Sequence, residues 1–299
     1  MFDLRERFEY LRCGVCGLLQ IAQIPDDLAR FYGDGYYSLQ KLREKKLSPL
    51  AAQLRTYRTR FYLGEKTVIG RLLAQFGRIP QHFAWLTPFN LTLKSSILDV
   101  GCGTGGVLLK LRREGFSDLL GLDPFLPTSL EYASGVTILA EPIEAVKRSF
   151  DLIMLHHSLE HMPDQHGIMQ ALRARLNPHG GVLLRLPVAE SYAHRRYGIH
   201  WMAWDAPRHL YLHTVRSLHY LAKLHGFEIF DIRYDARPEN LLGCEYYQRD
   251  IAHKDWPETQ SGGKRSLFSP ETLHAMRQLT QRLNATLDGD TACFYLRVQ

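Results

Sequence analysis

The sequence contains no run of 18 or more apolar residues, which excludes a helical membrane span. Its first residues, Met1-Phe2-Asp3-Leu4-Arg5-Glu6-Arg7, mix charges and lack an apolar core, so no secretory leader is expected. Cysteine is scarce: there are five in 299 residues, an odd number, and Cys102, Cys244 and Cys293 stand alone. That argues against a disulfide framework and fits a reducing, cytoplasmic compartment. Internal repeats and low-complexity tracts are absent as well. What remains is 45% hydrophobic, enough for one large domain or a domain with an attachment.

Charge is unevenly placed. Residues 1–80 hold 14 Lys/Arg against 8 Asp/Glu, while the rest of the chain is neutral. Residues 41–78 alone carry ten basic groups against Glu44 and Glu65. This is either a solvated face of helices covering the core or a surface for an anionic substrate, membrane or nucleic acid.

Residues 1–40 read as loop-rich, with Cys13-Gly14-Val15-Cys16-Gly17 and Gly33-Asp34-Gly35-Tyr36-Tyr37. Leu54, Tyr57, Phe61, Val68, Leu72 and Phe76 recur near a 3.6 period, which predicts helix over 50–77 in a basic cap spanning 41–94. From residue 95 to 299, strands alternate with helices, so a parallel sheet covered on both faces is expected. Predicted strands are Ile97–Val100, Leu119–Leu122, Val136–Leu139, Phe150–Leu155, Val182–Leu186, Phe227–Tyr234 and Ala292–Val298. Predicted helices are Gly105–Glu114, Leu126–Ala133, Gln165–Leu176, Val215–Leu224 and 270–285, with insertions at 188–213 and 236–290.

Leu98-Asp99-Val100-Gly101-Cys102-Gly103-Thr104-Gly105 places a glycine turn between a strand and a helix, which presents backbone N–H groups to a ligand. Asp123 ends the next strand, 24 residues after Asp99, where a carboxylate can accept both hydroxyls of a ribose. Gly101, Gly103 and Gly106 also satisfy G-x-G-x-x-G, so a dinucleotide loop fits this much equally well. Three features separate the readings. Asp99 precedes the glycines, where it can hold a ligand amine. His156-His157-Ser158-Leu159-Glu160-His161 follows the fourth strand. The chain closes on two strands joined by an insertion, which suggests an antiparallel edge.

Leu98–Gly105, Gly121-Leu122-Asp123, Phe150-Asp151-Leu152-Ile153 and Leu159-Glu160-His161 together resemble successive motifs of the class I S-adenosylmethionine-dependent methyltransferases, over roughly residues 96–235. The resemblance implies an α/β, Rossmann-like sheet of seven strands in the order 3-2-1-4-5-7-6, with strand 7 antiparallel, behind an N-terminal helical and loop extension. It implies S-adenosyl-L-methionine as cofactor. Its methionine end would lie on Gly101–Gly105, its ribose on Asp123 and its adenine beside Ile143. The cofactor-binding set is therefore Asp99, Gly101, Cys102, Gly103, Gly105, Asp123, Pro124, Glu141, Ile143 and His156. One departure is that Glu141-Pro142 stands where members often carry Gly-Asp, and Glu141 is the available substitute for the adenine contact.

Cys13-x2-Cys16 with Tyr36-Tyr37, Trp204-Asp205-Ala206-Pro207-Arg208-His209-Leu210, and Leu283-Asn284 followed by Gly289-Asp290 resemble bacterial methyltransferases often found among sugar or surface-glycan genes. Such relatives carry an earlier cysteine pair, so residues 1–40 are expected to be the remnant of a longer module. No second pair or histidine follows Cys16 at zinc spacing, and a knuckle folded without metal is expected.

An activated methyl donor leaves the enzyme to align the acceptor and, for a hydroxyl, to remove a proton. Histidine suits that task, and His157, His161 and His209 are the candidates. For each there is a plainer role: Glu160-His161 as a backbone partner at a helix start, and His209 as a packing residue. His157, Glu160 and His161 also have metal-ligand types, but neighbours on one turn make a poor three-ligand face, so no metal is expected. The expected acceptor is a small molecule or glycan. The alternatives are a nucleic-acid methyltransferase, against which stands His-His-Ser-Leu in place of Asn/Asp-Pro-Pro-aromatic, and a non-catalytic binding protein of the same fold. Tyr192, Tyr197, His200, Trp201 and Trp204 either stack on an acceptor ring or pack the insertion onto the sheet.

Overall fold

The chain's first strands, β1 (Tyr10–Arg12) and β2 (Leu19–Ile21), form an antiparallel hairpin. The structure is a computed structural model describing residues 6–32, 42–44, 47–75, 79–256 and 267–299. The Gly33–Tyr37 loop, Phe76 and the basic residues Lys41, Lys45, Lys46 and Arg78 lie outside the described residues.

Helix α1 (Pro49–Tyr62) starts on the Ser48 hydroxyl, which accepts from the Ala51 N–H, with Pro49 at its first position. Helix α2 (Val68–Gln75) follows. The single helix expected over 50–77 is thus two. It breaks at Gly64, whose φ of 92° is a left-handed exit that a residue with a Cβ adopts at a cost. Helix α3 (Gln81–Ala84) leads into β3 (Ser96–Val100), whose five residues are all buried, as a central parallel strand requires.

Then come α4 (Gly106–Arg113), β4 (Asp118–Leu122), β5 (Leu130–Glu131), β6 (Thr137–Leu139), β7 (Phe150–His156), α5 (Gln165–Ala174) and β8 (Leu176–Pro187). They are followed by α6 (Tyr192–Tyr197), β9 (Tyr211–Leu212), α7 (Val215–Leu224), β10 (Phe227–Tyr234), α8 (Pro238–Gln248), α9 (Pro270–Ala285) and β11 (Thr291–Val298). The main sheet runs β10-β11-β8-β7-β3-β4-β6-β5. Seven of its strands stand in the expected order, and β11 is antiparallel to both neighbours. The eighth, β5, pairs antiparallel with β6 at the edge. It replaces the helix expected over Leu126–Ala133. Pro124 and Pro127 each lack an N–H and push the preceding residue out of helical conformation, so this stretch turns instead.

Strand residues alternate between two cores. Leu98, Val100, Ile153 and Leu155 pack on α5 and α7 through Met169, Leu172 and Leu218. Ile97, Leu152 and Met154 pack on α4 and the α3 region through Leu108, Leu111, Phe83 and Trp85. Glu114, buried just beyond α4, fastens α1 to this second layer: it accepts from Arg55, Arg58 and the Thr59 hydroxyl, each at 3.2 Å. Arg60 pairs with Glu65 at 2.7 Å. Part of the basic segment's charge is therefore spent inside the molecule. The N-terminal hairpin continues through β2 onto β9, forming a separate three-stranded sheet. No helix among the described residues is long and apolar enough to cross a membrane.

Candidate donor and acceptor site

The glycine loop leaves β3 with Gly101, Gly103 and Gly105 at φ of 70°, 55° and 80°. A Cβ on Gly101 would stand 2.5 Å from that of Ser158, and one on Gly105 would stand 2.6 Å from Ile138. The loop therefore requires glycine for its backbone angles and for its fit. The N–H groups of Gly101 and Cys102 donate to the Leu122 carbonyl at 2.8 and 3.1 Å, which ties the loop to β4.

Asp123, at the end of β4, accepts from the Gly103 N–H at 2.7 Å and from the Phe125 N–H at 3.0 Å. Asp99 is buried under the loop, and its Oδ1 has no hydrogen-bond partner among the described residues. Burial first, and the charge of Asp123 second, push its carboxyl up to about 8. An orphaned acid beside a left-handed glycine loop is the partner a ligand ammonium requires. Burial likewise pushes the Cys102 thiol well above its ordinary range, so it packs as a thiol rather than reacting as a thiolate.

The other expected cofactor residues are spread around this loop. Pro124 is exposed directly after Asp123, Glu141 is exposed after β6, and Ile143 is buried. His156 turns toward the α3 side, its ring 4.5 Å from that of Trp85, and burial keeps it neutral.

The three candidate histidines gather beyond the ends of β7 and β8. His157 has φ 52° and its N–H donates to the Arg185 carbonyl at 2.7 Å. Its Nε2 accepts from the Arg185 guanidinium, whose Nε donates to Asp235 at 2.7 Å. Trp85 Nε1 donates to the same Asp235 oxygen at 2.8 Å. The lone pair of His157 is thus already engaged. His161 Nδ1 lies 2.8 Å from the Arg208 carbonyl, and His209 Nδ1 lies 2.7 Å from that of Ala203. A carbonyl only accepts, so both rings carry their proton on Nδ1 and leave the Nε2 lone pair open. Burial first, and then His209, hold His161 down to about 4. The two rings meet edge to face at 4.7 Å.

Glu160 is completely buried between them, and its backbone carbonyl accepts from the Leu210 N–H at 2.8 Å. That bond docks the 205–213 segment, and His209 with it, onto the end of β7. The N-terminal region closes the same place. Tyr10 donates to the His209 carbonyl at 2.7 Å, and the Tyr32 hydroxyl lies 3.4 Å from His161 Nδ1. Sequence reasoning missed Arg185, Asp235, Trp85, Tyr10 and Tyr32. Only Arg185 carried a signal, as a charged residue inside the apolar stretch Val182–Leu186.

The aromatic patch is mostly structural. Trp201 is buried and donates to Asp290 at 3.1 Å, Tyr197 donates to Glu245 at 2.9 Å, and Trp204 meets Tyr10 at 4.9 Å. Cys13 and Cys16 sit in the β1–β2 turn, closed by Cys13 N–H to the Leu18 carbonyl at 2.8 Å. The N–H groups of Cys16 and Val15 lower the Cys13 thiol below its ordinary range.

A mainly parallel sheet with β11 antiparallel, a glycine loop at its centre, Asp99 within β3 and Asp123 just after β4 define a Rossmann-like α/β architecture. The chain belongs to the family described as a methyltransferase domain, whose model matches residues 68–232. The expected fold class and the expected enzyme class are both borne out.

Among curated relatives, the chain is similar to the ubiquinone biosynthesis O-methyltransferase of Bordetella avium, 28% identical over 188 residues, or 56% of this chain and 73% of that one. That of Pectobacterium carotovorum is 33% identical over 97 residues, 29% of this chain and 40% of its own length. Among solved structures, it is similar to mycolic acid cyclopropane synthase CmaA1 complexed with SAH and CTAB, at 14% identity and a TM-score of 0.48, covering 84% of this chain and 99% of that one. It is also similar to Haemonchus contortus phosphoethanolamine N-methyltransferase 2 in complex with S-adenosyl-L-methionine, at 15% identity and a TM-score of 0.46, covering 94% and 61%.

Proposed function

We propose that this chain transfers the methyl group of S-adenosyl-L-methionine to a small-molecule or glycan-type acceptor bound beside Glu160, His161 and His209. The observation that carries the reading is the unpartnered, buried Asp99 beneath a glycine loop that Asp123 holds open. When bound, the cofactor supplies a sulfonium methyl already activated for in-line displacement. Gly101, Cys102, Gly103 and Gly105 supply backbone for the methionine end, Asp99 takes its ammonium, and Asp123 accepts from the ribose hydroxyls. Pro124, Glu141 and Ile143 flank the base.

His161 and His209 are the groups fit to take an acceptor proton, since each keeps an Nε2 lone pair. His157, held by Arg185, and His156, turned toward Trp85, act through positioning. Residues 41–94 serve as a basic cap for the 95–299 methyltransferase unit, and Tyr10 and Tyr32 from the N-terminal region stand beside the acceptor. The names of the curated relatives support a small oxygen acceptor.

Calorimetry with S-adenosylhomocysteine and with NAD tests the donor. Micromolar binding of the first and none of the second is expected, and absence of S-adenosylhomocysteine binding sinks the reading. A screen of hydroxylated aromatics and nucleotide sugars, followed by mass spectrometry for an added methyl group, tests the acceptor.

A further inference from the structure

We propose that Glu160, His161 and His209 form a binding site for one divalent transition-metal cation. One ligand atom from each lies within 4.8 Å of those from the other two. Glu160 is fully buried, and neither carboxylate oxygen has a hydrogen-bond partner among the described residues. A carboxyl buried with neither oxygen hydrogen-bonded is costly to hold, so this group calls for something that pairs with it.

Two of its neighbours, His161 and His209, keep a lone pair. His161 and His209 both commit Nδ1–H to backbone carbonyls, at 2.8 and 2.7 Å, and both direct chemistry through Nε2. His209 Nε2 stands 4.0 Å from Glu160 Oε1 and 3.7 Å from Asp205 Oδ2. A ring lone pair 4.0 Å from a carboxylate oxygen repels it unless a cation sits near both. An imidazole anchored by Nδ1–H to a carbonyl is also the usual outer support of a metal-bound histidine. His157 Nδ1 lies 3.3 Å from Glu160 Oε1 but outside hydrogen-bonding alignment.

Two imidazoles and one carboxylate suit zinc, manganese, iron(II) or cobalt(II). Bonds of about 2.1 Å require the side chains to turn inward by about 1 Å. Three protein ligands leave a position open, which an acceptor oxygen fits. Only that last role rests on the methyl-transfer reading. If the cation is present, it replaces the histidines as the group that makes the acceptor hydroxyl acidic.

The test uses the full chain, stripped with chelator, in a Cys13→Ser, Cys16→Ser background that removes the thiol pair. Cobalt(II) is titrated by visible absorption and zinc by calorimetry. One equivalent bound at about micromolar Kd or tighter is expected. Glu160→Gln and His209→Gln should each weaken it at least about tenfold, while His157→Asn leaves it within about twofold. S-adenosylhomocysteine binding by the same variants reports whether they fold. Should one fail to fold, the cobalt-loaded parent decides by NMR. Two hyperfine-shifted exchangeable imidazole protons support the site, and none overturns it. No uptake by the parent, or uptake indifferent to Glu160→Gln and His209→Gln, also overturns the proposal. Metal uptake without S-adenosylhomocysteine binding would instead sink the methyl-transfer reading alone.

Discussion

The two halves of the proposed site are built on opposite plans. The donor half is local: one strand end, one glycine loop and the end of the adjacent strand, with Asp99, Gly101, Gly103, Gly105 and Asp123 all inside 25 consecutive residues. The acceptor half is assembled from distant pieces: the end of β7, Arg185 on β8, the 205–213 segment, and Tyr10 and Tyr32 from the N-terminal region. Backbone conformation shapes the first, and side-chain packing between segments shapes the second. Such a division lets an acceptor site be remodelled without disturbing the donor site.

Substitutions that strike one half and spare the other test this division. The largest effect is expected for Gly101→Val, which forces a side chain onto φ 70° and against Ser158. S-adenosylhomocysteine affinity by calorimetry should fall on the order of 100-fold or more. On whichever acceptor the screen returns, His161→Gln should lower kcat by about 100-fold. The donor affinity of that variant should stay within about twofold, whereas an equal loss of both would erase the boundary between the halves. Asp123→Ala should weaken donor binding by about 2 kcal/mol, roughly thirtyfold, with little change in acceptor KM.

The last expected effect concerns pH. His213 is buried between Ser217 and Gln165, at 2.9 and 2.8 Å, and burial depresses it to about 3. The folded state keeps this ring neutral while the unfolded chain takes up a proton below about 6.5. Stability is therefore unaffected above that value and is lost as pH falls toward 3, by up to about 1.4 kcal/mol per unit. Urea unfolding at pH 7 and 5 should show this slope, and His213→Gln should flatten it by one proton's worth.

The same division explains what the sequence disclosed. The strands themselves, the glycine loop and Asp123 were legible because their signals are short-range: apolar runs, glycines and the spacing between strand ends; the strand order followed only from the family resemblance that those motifs carry. Helix α8 was not, because its buried face carries Gly243, Cys244 and Tyr246 beside Leu241 and gives little apolar periodicity. Strand β5 was not, because two residues at a sheet edge leave no pattern. On the acceptor side, His157, Glu160 and His161 were visible as types, but their roles were not. Arg185 takes the lone pair of His157, and His209 reaches Glu160 only because the Leu210 N–H docks its segment there. The metal set weighed from spacing contained His157, whereas the fold supplies His209 in its place.

A crystal structure of the full chain with S-adenosylhomocysteine tests the central claim most directly. The account predicts the ammonium on Asp99, the ribose on Asp123 and the sulfur facing the Glu160, His161 and His209 side. A ligand bound away from the Gly101–Gly105 loop, or with its sulfur turned from those histidines, would contradict it.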